Sequence, residues 1–200
     1  IPVSNLTRDT VIKKYGIDCQ FELTGEISVA NEEWQMEDLI EIANLRNSFG
    51  DSVQILSKEE MQARVHSPIS VGGLWDPDGT ALIDPARLVW GLEQACIKSG
   101  VVIYENTSAL WLERASKGII VHTPYGTVYA QKVALATNIY RSLIRRAKKY
   151  VVPVYDFQLV TEPLTPEQME SIGWKDREGL SEAGNQFHYY RLTKDNEILW

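Results

Sequence analysis

The spacing of apolar residues changes several times along this chain, and each change predicts a different element. From 32 to 48, Trp34, Leu39, Ile42, Ala43 and Leu45 recur at helical intervals and Gly50 follows as a stop, so a long amphipathic helix is expected there. Before it, the pattern predicts a helix over 10–15 and two short strands, 20–23 and 26–29, joined through Thr24 and Gly25. After it, Ser57, Lys58, Glu59 and Glu60 fit a capping box, in which serine and glutamate satisfy each other's backbone donors. A short helix should therefore run to about residue 65. Asp84 and Pro85 supply an N-cap and a first helical residue, and Gly100 stands past the far end; Leu88, Leu92, Ala95 and Cys96 would form that helix's core stripe. The apolar run 101–104 then reads as a buried strand, making a strand–helix–strand unit plausible.

Alternation returns at 109–113 and 118–123, and Pro124, Tyr125 and Gly126 turn the chain into 127–130, which predicts a three-strand meander. Residues 132–138 lack alternation, as a parallel strand covered on both faces would, and end at Asn138, a good N-cap for a basic helix. Beyond Pro153 the period is two, with Tyr155, Phe157 and Leu159 on one face and Asp156, Gln158 and Val160 on the other. A short helix is expected from Thr165, a strand over 186–193 carrying His188, Tyr189, Tyr190 and Arg191, and the start of another strand at 196–200. The fold class expected is α+β, an antiparallel sheet flanked by helices, with no internal repeat.

Composition adds exclusions. With 200 residues, 44% hydrophobic and 24% charged, the chain can bury one sizeable core or two small ones. A net charge of −7 argues against nucleic acid as a partner, because phosphate binding needs a basic stripe. The local exception, Arg141, Arg145, Arg146, Lys148 and Lys149, reads first as the solvated face of a helix. Cys19 and Cys96 are far apart, which indicates neither a disulfide framework nor a zinc site and fits a reducing cytoplasm. No stretch reaches the length of a membrane span. Ile1, Pro2, Val3 and Ser4 carry no signal pattern, and both ends suggest an excerpt from a longer chain.

No nucleophile elbow, phosphate loop or zinc signature can be read, so no residue is assigned a catalytic role and no metal is expected. His66, His122 and His188 lie on separate elements and read as structural. The candidate chemistry is an aromatic sheet face with one guanidinium: Tyr155, Phe157, His188, Tyr189, Tyr190 and Arg191 could close over an apolar ligand and grip its carboxylate. On composition alone the aromatics could equally be core, with Arg191 paired to a surface acid.

Gly73, Leu74, Trp75, Asp76 and Pro77 leading to Gly79, then Ile83, Asp84, Pro85, Ala86, Arg87 and Leu88, with Gly100 and Val101, resemble the stretch that opens the second half of the D-amino-acid-oxidase-like flavoproteins. Gly126, Ala130, Val133 and the run Ala134, Leu135, Ala136, Thr137 and Asn138 resemble that family's strand returning to the flavin. Val152 and Pro153, Thr161 to Leu164, and Tyr190, Arg191, Leu192 and Thr193 with Asp195 resemble its substrate-domain strands. The resemblance runs from about residue 20 to the end and looks nearest to the bacterial branch acting on glutamylated putrescine and similar amines.

That resemblance implies FAD as cofactor and oxidation of a carbon–nitrogen bond in a small amine or amino acid. It implies Ala109 beside the adenine, Ala136, Thr137 and Asn138 near the pyrophosphate or ribose, and Phe157, Tyr190 and Arg191 on the substrate face. It also implies an organisation of 1–71 and 151–200 as parts of a substrate domain, with 72–150 as part of an FAD-binding α/β domain. The family's G-x-G-x-x-G turn, whose helix N-terminus holds the pyrophosphate, is not in this sequence. Poor FAD retention by this chain alone is the expectation that follows. A free-standing binding domain of related fold, and a subunit of a multi-chain oxidase, are the alternatives.

Overall fold

The computed structural model describes residues 4–140, 142–185 and 187–200. They form two compact units, one made of the residues up to Cys96 together with Gln158–Trp200, the other of Ile97–Phe157.

The first unit contains the helices α1 (Ser4–Tyr15), α2 (Glu33–Ser48), α3 (Lys58–Arg64), α4 (Pro85–Lys98, reaching the boundary) and α5 (Pro166–Ile172). Its strands are β1 (Glu26–Ala30), β2 (Gln54–Leu56) and β3 (Gly72–Asp76). Three more belong to the same unit, and they are numbered after the meander: β7 (Gly179–Glu182), β8 (Tyr189–Leu192) and β9 (Ile198–Leu199). They make one six-stranded sheet in the order β2-β3-β1-β7-β8-β9. Every pairing is antiparallel except β1 with β7, so the expected mostly antiparallel sheet with flanking helices is present.

Alternation along the central strands decides what covers each face. Ile27 and Val29 point to one side, where Leu56, Met61, Val65, Trp174, Leu180 and Leu192 complete a buried cluster. Ala30 and Leu74 face the other side, against Leu39 and Ala43 of α2 and Val53. Each fully buried aliphatic side chain of this kind contributes roughly 1.5–3 kcal/mol.

The helix signals locate their elements well. Ser57 Oγ accepts from Glu60 N at 3.2 Å while Ser57 N donates to Glu60 Oε2 at 2.8 Å, the predicted reciprocal box. Thr165 and Gln168 repeat it at α5. Asp84 Oδ1 caps α4, accepting from the amides of Ala86 and Arg87 at 2.9 and 3.1 Å.

Other expectations are corrected. Leu39 and Ala43 of the expected α2 stripe are buried, but Trp34 is 58% and Leu45 60% exposed. The covered face is centred on Gln35, Leu39 and Ala43, and a helix can bury only the stripe its neighbour reaches. In α4 only Ala95 is buried, while Leu92 and Cys96 lie towards solvent. Residues 20–23 hold one isolated bridge, Glu22 to Leu82, instead of a strand.

The second unit holds the expected meander: β4 (Trp111–Ala115), β5 (Gly118–Thr123) and β6 (Gly126–Ala130), all antiparallel. Neither 101–104 nor 132–138 is a strand; 101–104 is exposed apolar chain and 132–137 has no regular secondary structure. Apolar character marks what would be buried, but a strand also needs a neighbour's backbone. The expected basic helix is a single 3₁₀ turn, Ala147–Lys149, and Arg141 lies outside the described residues. The 155–160 strand is likewise unformed apart from the bridge Val160 to Leu199. The strand expected over 186–193 is shorter, confined to Tyr189–Leu192, and Gln186 lies outside the described residues.

Candidate functional site

The helix α2 packs on the Ala30 and Leu74 face of the sheet over β1, β2 and β3, away from β8 and β9. There the structure has a cavity of about 450 Å³ lined by Glu26, Leu82, Gly179, Tyr189, Arg191 and Trp200 among others, all in the first unit. Ser181 and Tyr189 are register partners, and paired residues share a face, so Tyr189 and its i+2 neighbour Arg191 both point to this side.

Arg191 Nη1 donates to the Ile83 carbonyl at 2.8 Å, which fixes the guanidinium at the cavity wall. Its Nε is buried and has no hydrogen-bond partner among the described residues. A buried guanidinium N–H without an acceptor is costly, and a ligand oxygen would satisfy it. Glu26 stands on the same face, its Oε2 accepting from Thr80 Oγ1 at 2.7 Å and its Oε1 from Ser181 Oγ at 2.8 Å.

Arg177 ties the two cavity walls together from behind. It sits at φ 58° and donates from Nε to Glu22 Oε2 at 2.9 Å and from Nη2 to the Thr193 carbonyl at 2.8 Å. The Glu22 backbone in turn exchanges hydrogen bonds with Leu82, so the 80–83 wall and β8 are held at a fixed separation.

Tyr190, adjacent to Arg191, projects to the opposite face because side chains alternate. There its ring meets Trp174 edge-on at 6.0 Å against the buried cluster, although part of it also borders the cavity. Burial pushes its phenol above the ordinary value, and the Glu182 charge adds to that. Tyr190 and Arg191 thus border one hollow, with Arg191 the side chain that faces it.

The other expected site residues lie in the second unit. Ala109 precedes β4 and is exposed; after β6, Ala136 is exposed and Thr137 half-buried in an irregular stretch, and Asn138 is exposed in the turn that follows. Asn138 has φ 49°, a left-handed conformation that asparagine tolerates better than most residues. Phe157 is 89% exposed at the end of the unit.

These residues pass a physical test for a nucleotide cofactor. Short side chains at Ala134, Ala136 and Thr137 let a ligand approach the backbone closely, and among the described residues this stretch joins no ladder, although the Thr137 carbonyl accepts from Tyr140 N at 3.0 Å.

The histidines all have structural partners: His66 Nδ1 with the Ser171 carbonyl at 2.9 Å, His122 Nε2 with Glu113 at 2.8 Å, and His188 Nδ1 with Glu182 at 2.7 Å. Among the described residues no group of three or more His, Cys, Asp or Glu could hold a metal ion. Nor is any helix long and apolar enough to cross a membrane.

Several solved structures share this fold. Glycine oxidase from Geobacillus kaustophilus superposes with a TM-score of 0.76 at 20% identity, over 97% of this chain and 51% of that one. L-amino acid deaminase from Proteus vulgaris gives 0.75 at 18% identity, over 98% and 45%. At such identities the likeness speaks for the fold alone.

Sequence carries the assignment further: residues 4–200 match the family described as FAD dependent oxidoreductase, and the chain belongs to that family. It is 32% identical over 201 residues to a Haemophilus influenzae protein called probable oxidoreductase OrdL, covering 96% of this chain and 46% of that protein. A glycine oxidase of Geobacillus kaustophilus is 27% identical over 129 residues, 63% of this chain and 34% of its own length. The chain spans about half the length of the OrdL relatives, 46% and 44%.

Sequence reasoning missed Glu26, Gly179, Ser181 and Arg177. Only the alternation that pairs 189 with 191 could have pointed to this face, since β7 is four residues long and carries no apolar run.

Proposed function

We propose that this chain carries the substrate-facing sheet of an enzyme that oxidises a carbon–nitrogen bond of a small amine or amino acid at a bound FAD. The observation that carries the reading is the cavity on the open sheet face, where Arg191 presents a buried Nε without a partner beside Tyr189 and Trp200. In this reading the guanidinium binds and orients a substrate carboxylate, the aromatic and aliphatic walls exclude water, and Tyr190 supports β8 from the core side. When bound, FAD supplies the acceptor for the hydride that leaves the carbon next to nitrogen. Ala109 would lie beside the adenine, and the backbone of Ala136, Thr137 and Asn138 would approach the pyrophosphate or ribose; their short side chains support that role.

The finer organisation belongs to the same proposal: 1–71 and 151–200 as parts of the substrate domain, 72–150 as part of the FAD-binding domain. Phe157 joins the substrate residues in it. The resemblance to enzymes of glutamylated putrescine and similar amines favours extended amines over the smallest amino acids. A cytoplasmic setting is supported by two unpaired cysteines, Cys19 and Cys96.

The test is substrate-dependent flavin reduction by the whole protein under anaerobic conditions, over a panel of amines and amino acids. Bleaching by at least one of them is expected, and a panel that leaves the flavin oxidised throughout would overturn the reading. Because the pyrophosphate-binding turn is not in this sequence, the 200-residue chain alone is expected to purify without stoichiometric flavin absorbance. A yellow chain with one FAD per polypeptide would contradict that.

A further inference from the structure

The open sheet face carries a second charge that the carboxylate-binding reading does not use. Glu26 pairs with Gly179 across the parallel β1–β7 ladder. On the other side of β7 the register runs Ser181 to Tyr189 and Leu180 to Tyr190, so the next position brings Arg191 opposite Gly179. Glu26, Gly179 and Arg191 therefore stand in one row across three adjacent strands. The two charged residues are two strand spacings apart, roughly 9.5 Å between Cα atoms. Glycine at the middle position puts no side chain between them.

Among the described residues both charges lack a counterion. The Thr80 and Ser181 hydroxyls orient the Glu26 carboxylate without neutralising it, and they fill only part of its acceptor capacity. Arg191 is held by a carbonyl, which is also uncharged. Among the described residues no ion pair includes either one. They are the two charged side chains on the cavity wall, whose other lining includes Leu82, Leu180, Tyr189, Leu199 and Trp200. An unneutralised charge against such a wall is costly, and a ligand group of opposite sign recovers part of that cost.

We propose that Glu26 is a cation-binding subsite, and that the cavity takes molecules with a carboxylate at one end and an ammonium several bonds away at the other. This rests on the cavity being the substrate site. Anchoring is what selects the class. Arg191 is held on the Ile83 carbonyl and Glu26 on Thr80 and Ser181, on either side of Gly179, and a chain of several methylenes between the two charges spans that row. The ammonium on Glu26 stays protonated, because a carboxylate partner favours the charged form. It is therefore not the nitrogen whose carbon is oxidised, since hydride loss needs that nitrogen's lone pair; Glu26 sets specificity and leaves the chemistry to another amine of the substrate.

The test is equilibrium binding to the whole FAD-loaded protein by calorimetry, with two probes of equal length: 6-aminohexanoate, and heptanoate, which has a methyl in place of the ammonium. The wild type should bind 6-aminohexanoate roughly 10- to 100-fold more tightly, the loss expected when a charge-assisted hydrogen bond is missing. Glu26→Gln should erase that preference. Equal or tighter binding of heptanoate, no binding of either probe, or a preference untouched by Glu26→Gln would overturn the subsite. The wild-type comparison decides by itself if Glu26→Gln does not fold. Failure of the broader enzymatic reading shows separately, as a flavin that no amine reduces.

Discussion

Glu26 and Arg191 face the same cavity from opposite sides of Gly179, one strand to either side, with opposite charges and no ion pair between them among the described residues. A polypeptide that needed only stability would bring such charges together or keep them in water. Here the sheet register holds them apart, and that separation is the feature a ligand can read.

Gly179 tests the separation directly. A Cβ placed there would lie 3.4 Å from Leu82 Cδ2, an ordinary contact, so Gly179→Ala should fold with a melting temperature close to wild type. Gly179→Val adds bulk to the floor between the two charges and should raise the KM for a carboxylate substrate about tenfold, roughly 1.4 kcal/mol. Unchanged steady-state kinetics in Gly179→Val would place the substrate elsewhere.

Two positions of α2 that looked equivalent in the sequence should behave differently. Leu39→Ala removes a buried side chain from the cluster with Ala43, Val53 and Leu74 and should cost about 2–5 kcal/mol in urea unfolding. Trp34→Ala, on the exposed side, should stay within about 0.5 kcal/mol of wild type. Similar losses for both would mean that the buried face has been wrongly placed.

That contrast shows what could be read from the chain. Caps are local chemistry: Ser57 with Glu60, Thr165 with Gln168, and Asp84 each act on amides a few residues away, so α3, α5 and α4 were legible. The meander was legible because its turns are equally local. Which face of α2 is buried depends on the sheet it meets, and whether 101–104 or 132–138 becomes a strand depends on a neighbouring backbone. Neither can be read from the segment itself. Within the site, Arg191 was legible as the one guanidinium on an aromatic strand face, a reading the resemblance repeated, but Glu26 became visible only when the parallel β1–β7 register set it beside Gly179.

Glu182 should give the fold an acid-side dependence. Burial pushes its carboxyl up, but hydrogen bonds from the His188 side chain and backbone outweigh that and hold it below the ordinary value. A folded-state value below the unfolded one means that this stability is present above the unfolded carboxyl range, near 4.3, and is lost as pH falls through the folded value. Glu182→Gln should flatten this part of the stability profile in denaturant titrations between pH 6 and pH 3. A profile as steep as wild type would assign the acid dependence to other carboxylates.

The substrate role of the sheet face is tested most directly by rapid-mixing flavin reduction in the whole protein, comparing wild type with Arg191→Leu on a carboxylate-bearing amine. The dissociation constant for that substrate should rise by roughly 10- to 100-fold while the limiting reduction rate changes much less, since Arg191 is assigned to binding and orientation. Unaltered affinity in Arg191→Leu, with the flavin still reduced, would contradict the assignment of this cavity as the substrate site.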